Sequence, residues 1–229
     1  MKVTPLKDAL GVNSSNGLEC LPLSCVLSSK YIPYGSTLFL SGDPGAGKTT
    51  LLVQSMAFVA ERSQRPLLYN STEQNVQAIK SVFERLNLRS DMIWFTDETD
   101  LQSVLDWSEE NNVCFLCIDS LNESFVRSTM NGETKLFTAA KKLVQFTKAR
   151  RCVSVGIRQI NAEGSPAGEV RIDHASDTNM HLSVDESGMR NLQVRKNRHG
   201  VAPCSVKLHM GTRGLTLEQD PPFAPIALR

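Results

Sequence analysis

This sequence lacks any imbalance of charge: 25 Lys and Arg stand against 24 Asp and Glu, a net charge of +1 over 229 residues. No global field draws such a chain toward nucleic acid, so a surface of that kind has to be a local patch. Also missing are a signal peptide, a transit sequence and an apolar run long enough to span a bilayer, which leads us to expect a cytoplasmic chain with no membrane partner. The six cysteines stand at 20, 25, 114, 117, 152 and 204, but Cys114 and Cys117 lie inside an apolar run with no second pair at ligand spacing. A structural zinc site needs four ligands, so buried thiols of a reducing compartment are the better reading there. Cys20 and Cys25 lack partners in the same way. What remains is an ordinary globular composition, 41% hydrophobic, at a length that suits one α/β domain with a substantial core.

One stretch organises the rest. Gly42-Asp43-Pro44-Gly45-Ala46-Gly47-Lys48-Thr49 sits between an apolar run at Thr37 to Leu40 and a helical-looking run from Thr50 to Ala60. The spacing G-x-x-x-x-G-K-T is that of a P-loop: glycine-permitted turns aim successive N–H groups at a phosphate, and the following helix adds its positive end. Gly42, Asp43, Pro44, Gly45, Ala46, Gly47, Lys48, Thr49 and Thr50 are therefore the candidate cradle for ATP. Lys48 would reach the β- and γ-phosphates, and the Thr49 hydroxyl would ligate Mg²⁺.

In chain order, residues 1–34 read as a lead-in with Gly, Ser, Asn and Pro punctuation around Leu18 to Leu27, and residues 35–229 as the folded domain. After the P-loop helix, Pro66 to Tyr69 predicts a buried strand. A helix follows at about Gln74 to Leu86, with Val76, Ile79, Val82, Phe83 and Leu86 on one stripe. Met92 to Phe95 is a further strand and Leu101 to Glu110 a further helix. Val113 to Ile118 is continuously apolar and ends in Asp119, the shape of a Walker B element. A carboxylate there points into the crevice where open α/β sheets hold ligands, and would bind Mg²⁺ directly or through water; the plainer alternative is an Asp capping the next turn. Glu133 to Arg150 predicts the longest helix, Val153 to Ile157 another buried strand, and Asn161 to Gly168 a mobile loop. His181 to Val184 and Leu192 to Val194 flank a hairpin signal, and Cys204 to Met210 alternates as a half-buried strand. Helices and strands in alternation, then hairpins, predict a mainly parallel sheet with antiparallel strands at its C-terminal edge.

The chain resembles the ATPase core of the RadA (Sms) family within the RecA-like fold. The resemblance runs from about residue 17 to 215 and is carried by Pro33-Tyr34-Gly35-Ser36, the P-loop, Leu68 to Glu73, Glu84-Arg85-Leu86, Ile118-Asp119-Ser120, Glu163 to Gly168, His174 and Asp177-Thr178. Its most diagnostic block is Lys196-Asn197-Arg198-His199-Gly200, similar to the family's Lys-Asn-Arg-Phe-Gly with His199 in place of Phe. The family's four-cysteine zinc finger and Lon-like domain have no counterpart here, so a compact relative is expected.

The resemblance implies roles. Glu73 falls where RecA-like ATPases keep the carboxylate that orients the attacking water, with Gln74 in place of a second acid. Gln159 matches a γ-phosphate sensor; alternatively it is a strand-end polar residue without a role. Lys196 and Arg198 resemble cationic fingers inserted into a neighbouring subunit's nucleotide, alternating residues on a strand sharing one face. A solvated basic edge strand is the other reading. The resemblance further implies single-stranded DNA as partner, held by Arg127 and Arg171 in the loops 122–134 and 161–171. It also implies a homo-oligomer, a hexameric ring or a filament, and a recombinase or replication protein as a further partner. Those loops hold few aromatics, so phosphate contacts would dominate over base stacking. The alternatives are a DnaB-like replicative helicase, a KaiC-like regulatory ATPase that does not act on DNA, and a small-molecule kinase, which lacks a lid with clustered arginines and leaves Lys196 and Arg198 unexplained.

Overall fold

The apolar run at Thr37 becomes strand β3 (Thr37–Gly42), which lies inside a nine-stranded sheet rather than at its edge. A strand paired on both sides and covered on both faces has no solvent side to mark with polar residues, hence its uninterrupted pattern. A computed structural model describes residues 16–20, 22–23, 27, 30–89, 91–126, 134–159 and 167–217. Before β3 come β1 (Gly17–Glu19) and β2 (Tyr31–Pro33), and after it α1 (Lys48–Ala60), β4 (Leu67–Ser71), α2 (Val76–Arg85), β5 (Ile93–Thr96), α3 (Leu101–Glu110) and β6 (Phe115–Asp119). Then follow α4 (Lys135–Ala149), β7 (Val153–Ile157), α5 (Ala167–Ala175), β8 (Thr178–Val184), β9 (Arg190–Asn197), β10 (Cys204–Gly211) and β11 (Gly214–Leu217).

The strand order is β11-β10-β9-β8-β3-β7-β6-β4-β5. Pairing is parallel from β8 through β5 and antiparallel from β8 to β11, the architecture that the alternation of helices and strands predicts. Two apolar clusters lie on opposite faces: α1 and α2 pack into one, α3, α4 and Ile172 of α5 into the other. Helix starts follow local chemistry. Asn75, Asp100 and Thr134 each accept a backbone N–H from the first turn of α2, α3 and α4. Helix α1 differs, because its N-cap is Gly47 at φ 105° with no side-chain cap.

The structure corrects several details. The lead-in forms a small antiparallel sheet of its own, with Leu18 opposite Ile32. Helix α1 begins at Lys48, two residues earlier than its apolar pattern, because the loop's own last residues form its first turn. Val76 is 45% exposed and so leaves the apolar stripe of α2, whose buried residues are Ile79 and Phe83. Ala167 and Gly168, read as loop, open helix α5; the rest of that loop, 161–166, lies outside the described residues.

Candidate functional site

Four adjacent strands, β3, β7, β6 and β4, end near one level, and each passes its next residues into one crevice. From β3 comes the P-loop. Gly42 must be glycine because a Cβ there would sit 2.1 Å from the Leu182 carbonyl oxygen of β8. Gly47, in the left-handed region, turns the chain into α1, whose first turn holds no acidic residue and no side-chain cap. Its first N–H groups are therefore left to an anionic ligand. Lys48 Nζ donates to the Gly42 and Asp43 carbonyls, both at 2.9 Å. Burial holds its pKa below the ordinary lysine value, opposed by the nearby carboxylates of Asp119, Glu73 and Asp43.

Strand β6 delivers Asp119, 4% exposed, whose Oδ2 accepts a 2.8 Å hydrogen bond from the Tyr69 hydroxyl of β4. Burial raises this carboxyl from 3.8 to about 6; the Tyr69 hydrogen bond and Lys48 work against that rise and Glu73 adds to it. Beyond β4, Ser71 Oγ accepts the N–H groups of Glu73 and Gln74 at 3.4 and 3.0 Å, a turn that directs Glu73 outward. Beyond β7, Gln159 Nε2 donates to Glu73 Oε1 at 2.8 Å across 86 residues of sequence, and the Gln159 N–H donates to Asn122 Oδ1 at 2.9 Å. The cavity between these groups measures about 780 Å³ and is lined by the P-loop, Glu73, Asp119 and Gln159. Sequence reasoning thus finds side chains that the fold does bring together.

For a divalent cation the donor set is suitable. The Thr49 hydroxyl and the Asp119 carboxylate are hard oxygen ligands lining one cavity, and Asp119 Oδ1 carries no hydrogen bond from a described residue. Among the described residues no His, Cys, Asp and Glu form a larger metal cluster, and Cys20, Cys114, Cys117 and Cys152 are buried free thiols. Burial pushes Cys152 up to about 11. Cys25 lies outside the described residues.

Other groups escape the sequence reading. Arg85, Arg190 and Met210 also line the cavity, the last two from the antiparallel extension. That extension is fastened to α1 by Gln54, whose amide exchanges hydrogen bonds with the Leu215 backbone at 2.8 and 3.1 Å. Beside Gln159, the guanidinium of Arg158 is buried and pairs with Asp173 of α5 at 2.6 Å. No motif spacing marks any of these.

The remaining candidates lie elsewhere. Lys196 and Arg198 are near the start of β8, at the end of the sheet away from the P-loop. Lys196 Nζ donates to the carbonyls of Asp173, His174 and Ser176 at 2.7, 3.1 and 2.5 Å. Arg198 pairs with Asp177 at 3.1 Å and also reaches the His174 carbonyl at 3.3 Å. Arg171 is exposed on α5 with its guanidinium 4.3 Å from the centre of the Phe137 ring. Arg127 lies outside the described residues.

A family model described as an AAA domain matches residues 22–165, from the lead-in through the P-loop and Asp119 to the loop after Gln159. The chain belongs to the AAA-domain family. This AAA-domain chain is 31% identical over 179 residues to the DNA repair protein RadA of Escherichia coli, covering 76% of the present chain and 38% of that protein. It is 27% identical over 191 residues to RadA of Pseudomonas aeruginosa, covering 82% and 42%. It therefore spans about two fifths of the length of these curated relatives. Among solved structures, a KaiC-like protein from Pyrococcus horikoshii superimposes with a TM-score of 0.72 at 18% identity, covering 88% of this chain and 98% of that one. Relatives and fold neighbour agree with the RecA-like ATPase core that the motifs resemble. Among the described residues of this AAA-domain chain, no helix is long and apolar enough to cross a membrane.

Proposed function

We propose that the chain is a Mg²⁺-dependent ATPase that acts on single-stranded DNA as a homo-oligomer, with each active site completed by a neighbour. The observation that carries the hydrolytic reading is the Glu73–Gln159 hydrogen bond over the mouth of the P-loop cavity. A base for hydrolysis has to lie across the γ-phosphate from the leaving group, and the proposed base is Glu73, which lines the P-loop cavity from the turn beyond β4. Gln159 holds that carboxylate while no phosphate competes for its amide. A γ-phosphate drawing the amide away frees Glu73 to orient water, so only a loaded site is armed. Lys48 exchanges its two carbonyls for phosphate oxygens. Thr49 and Asp119 would hold Mg²⁺, which supplies charge neutralisation between the phosphates.

The DNA part rests on the RadA relatives, which are named as DNA repair proteins. Supporting it, the Gln159–Asn122 hydrogen bond joins the first residue of one loop expected to face DNA to the chain just before the other. The neighbour's contribution rests on where Lys196 and Arg198 stand. From Leu38, opposite Thr178 at their end of the sheet, to Gly42 is about 13 Å of strand at ~3.3 Å per residue, so they serve no nucleotide of their own subunit.

ATP turnover should be followed against protein concentration, with and without single-stranded DNA, at low and high salt. Turnover that rises with concentration, and a DNA stimulation that fades with salt, is the expected result. Full turnover from a monomer verified by sedimentation removes the neighbour from the reading. Turnover indifferent to single strands at low salt, with no DNA binding, moves the function to a signalling ring.

A further inference from the structure

Among the described residues Tyr69 is the largest wholly buried side chain, in the middle of β4, with its ring stacked on Phe95 at 6.4 Å between centres. Packing alone does not call for tyrosine there, because phenylalanine fills nearly the same volume and a buried hydroxyl is costly unless it is bonded. Its hydroxyl donates to Asp119 Oδ2 at 2.8 Å. One buried phenol therefore stands behind the carboxylate ligand of the candidate metal site.

We propose that Tyr69 is a positioning residue that sets Asp119 for a divalent cation. By donating to Oδ2 it fixes the carboxylate and leaves Oδ1 for the cavity. Groups behind metal ligands act in this way generally, and their loss typically lowers metal affinity about ten- to a hundredfold. The inference rests on the Mg²⁺–nucleotide reading given above.

The test compares Mn²⁺ affinity, read by electron paramagnetic resonance on the nucleotide-loaded full chain, with nucleotide affinity in EDTA. Tyr69→Phe should weaken Mn²⁺ binding about tenfold or more and leave metal-free nucleotide binding within about twofold. Native Mn²⁺ affinity in Tyr69→Phe, alongside its loss in Asp119→Asn, makes Tyr69 a packing residue and overturns the proposal. Native affinity in both variants removes the metal site itself, a separate failure. A measurement that needs no substitution uses the three tyrosines labelled as 3-fluorotyrosine. The buried resonance should move when the cation joins bound nucleotide and stay still when nucleotide binds in EDTA. A resonance indifferent to the cation refutes the proposal even if Tyr69→Phe does not fold.

Discussion

Asp119→Asn should make the ligand-free protein more stable at neutral pH while destroying its use of Mg²⁺. Asn has nearly the shape of Asp, and its amide oxygen can still accept the Tyr69 hydrogen bond seen at 2.8 Å. What disappears is the charge. Burial raises the carboxyl from 3.8 to about 6, so at pH 7 folding carries an ionised group that the fold disfavours. The sign follows from linkage. Because the folded-state value is the higher one, the native state binds the proton more tightly. This group therefore costs nothing at pH values well below 3.8, and its cost grows as pH rises to 6. At pH 7 the cost is about 3 kcal/mol and near pH 5 about half of that. Urea denaturation in EDTA without nucleotide is the assay. The variant should gain about 1–3 kcal/mol at pH 7 and distinctly less at pH 5, since the parent is largely protonated there. Adding Mg²⁺ and nucleotide should then stabilise the parent more than the variant. A variant no more stable than the parent at pH 7, or a difference that does not change with pH, refutes the argument that Asp119 is held at a cost to stability.

Glu73→Gln should bind ATP with near-native affinity, measured by calorimetry, and hydrolyse it about 10²-fold or more slowly, because shape is kept and only the base is lost; equal losses of binding and turnover make Glu73 structural. Gly42→Ala places a methyl 2.1 Å from the Leu182 carbonyl oxygen and should lower unfolding free energy by about 3 kcal/mol in urea titrations, with an unchanged midpoint marking the strand as able to yield. Arg198→Ala should bind nucleotide yet turn over poorly, and mixing it with Lys48→Ala should restore part of the activity, since a mixed interface unites an intact P-loop with an intact finger; mixtures no more active than their parts remove the neighbour's role.

The P-loop and the acid ending β6 were legible because each couples a local signal to a change of period, from an apolar run to a helix or to a polar turn. Helix α5 was not. Its sequence opens with Ala167 and Gly168 after Gly164, Ser165 and Pro166, and Ile172 is its one side chain described as part of the core. The strands of the lead-in are three residues each, too short to show alternation. Tyr69 was invisible for a different reason. Tyr69 continues the apolar pair Leu67 and Leu68 in a strand buried on both faces, so nothing in the pattern separates a phenol that packs from one that bonds to Asp119. The same limit hid the bond of Gln159 to Glu73. Each residue is nameable from its strand end, but their meeting depends on β7 and β4 flanking β6 in the sheet order.

On the proposed reading, the two lysines would exchange carbonyl partners for phosphate. Lys48 is held by two carbonyls and Lys196 by three, groups that orient an ammonium without neutralising it. A phosphate offers full negative charge where the carbonyls offer dipoles, so exchange toward phosphate is downhill once the ion arrives. The two lysines differ in what exchange would disturb. Lys48 gives up only loop carbonyls, within a segment whose glycines already tolerate several conformations. Lys196 holds carbonyls of Asp173 and His174, in the last turn of α5, and of Ser176 just beyond it, where a cation satisfies groups the helix leaves unpaired. Delivering that ammonium to a neighbour would uncap α5, whose Asp173 also bonds Arg158 next to Gln159. Arg198, with its side chain about half exposed, holds Asp177 and only one α5 carbonyl, that of His174 at 3.3 Å, so its release disturbs α5 less than release of Lys196. Under the proposed neighbour reading, Arg198 is therefore the better candidate finger and Lys196 the residue that holds the end of α5 against β9.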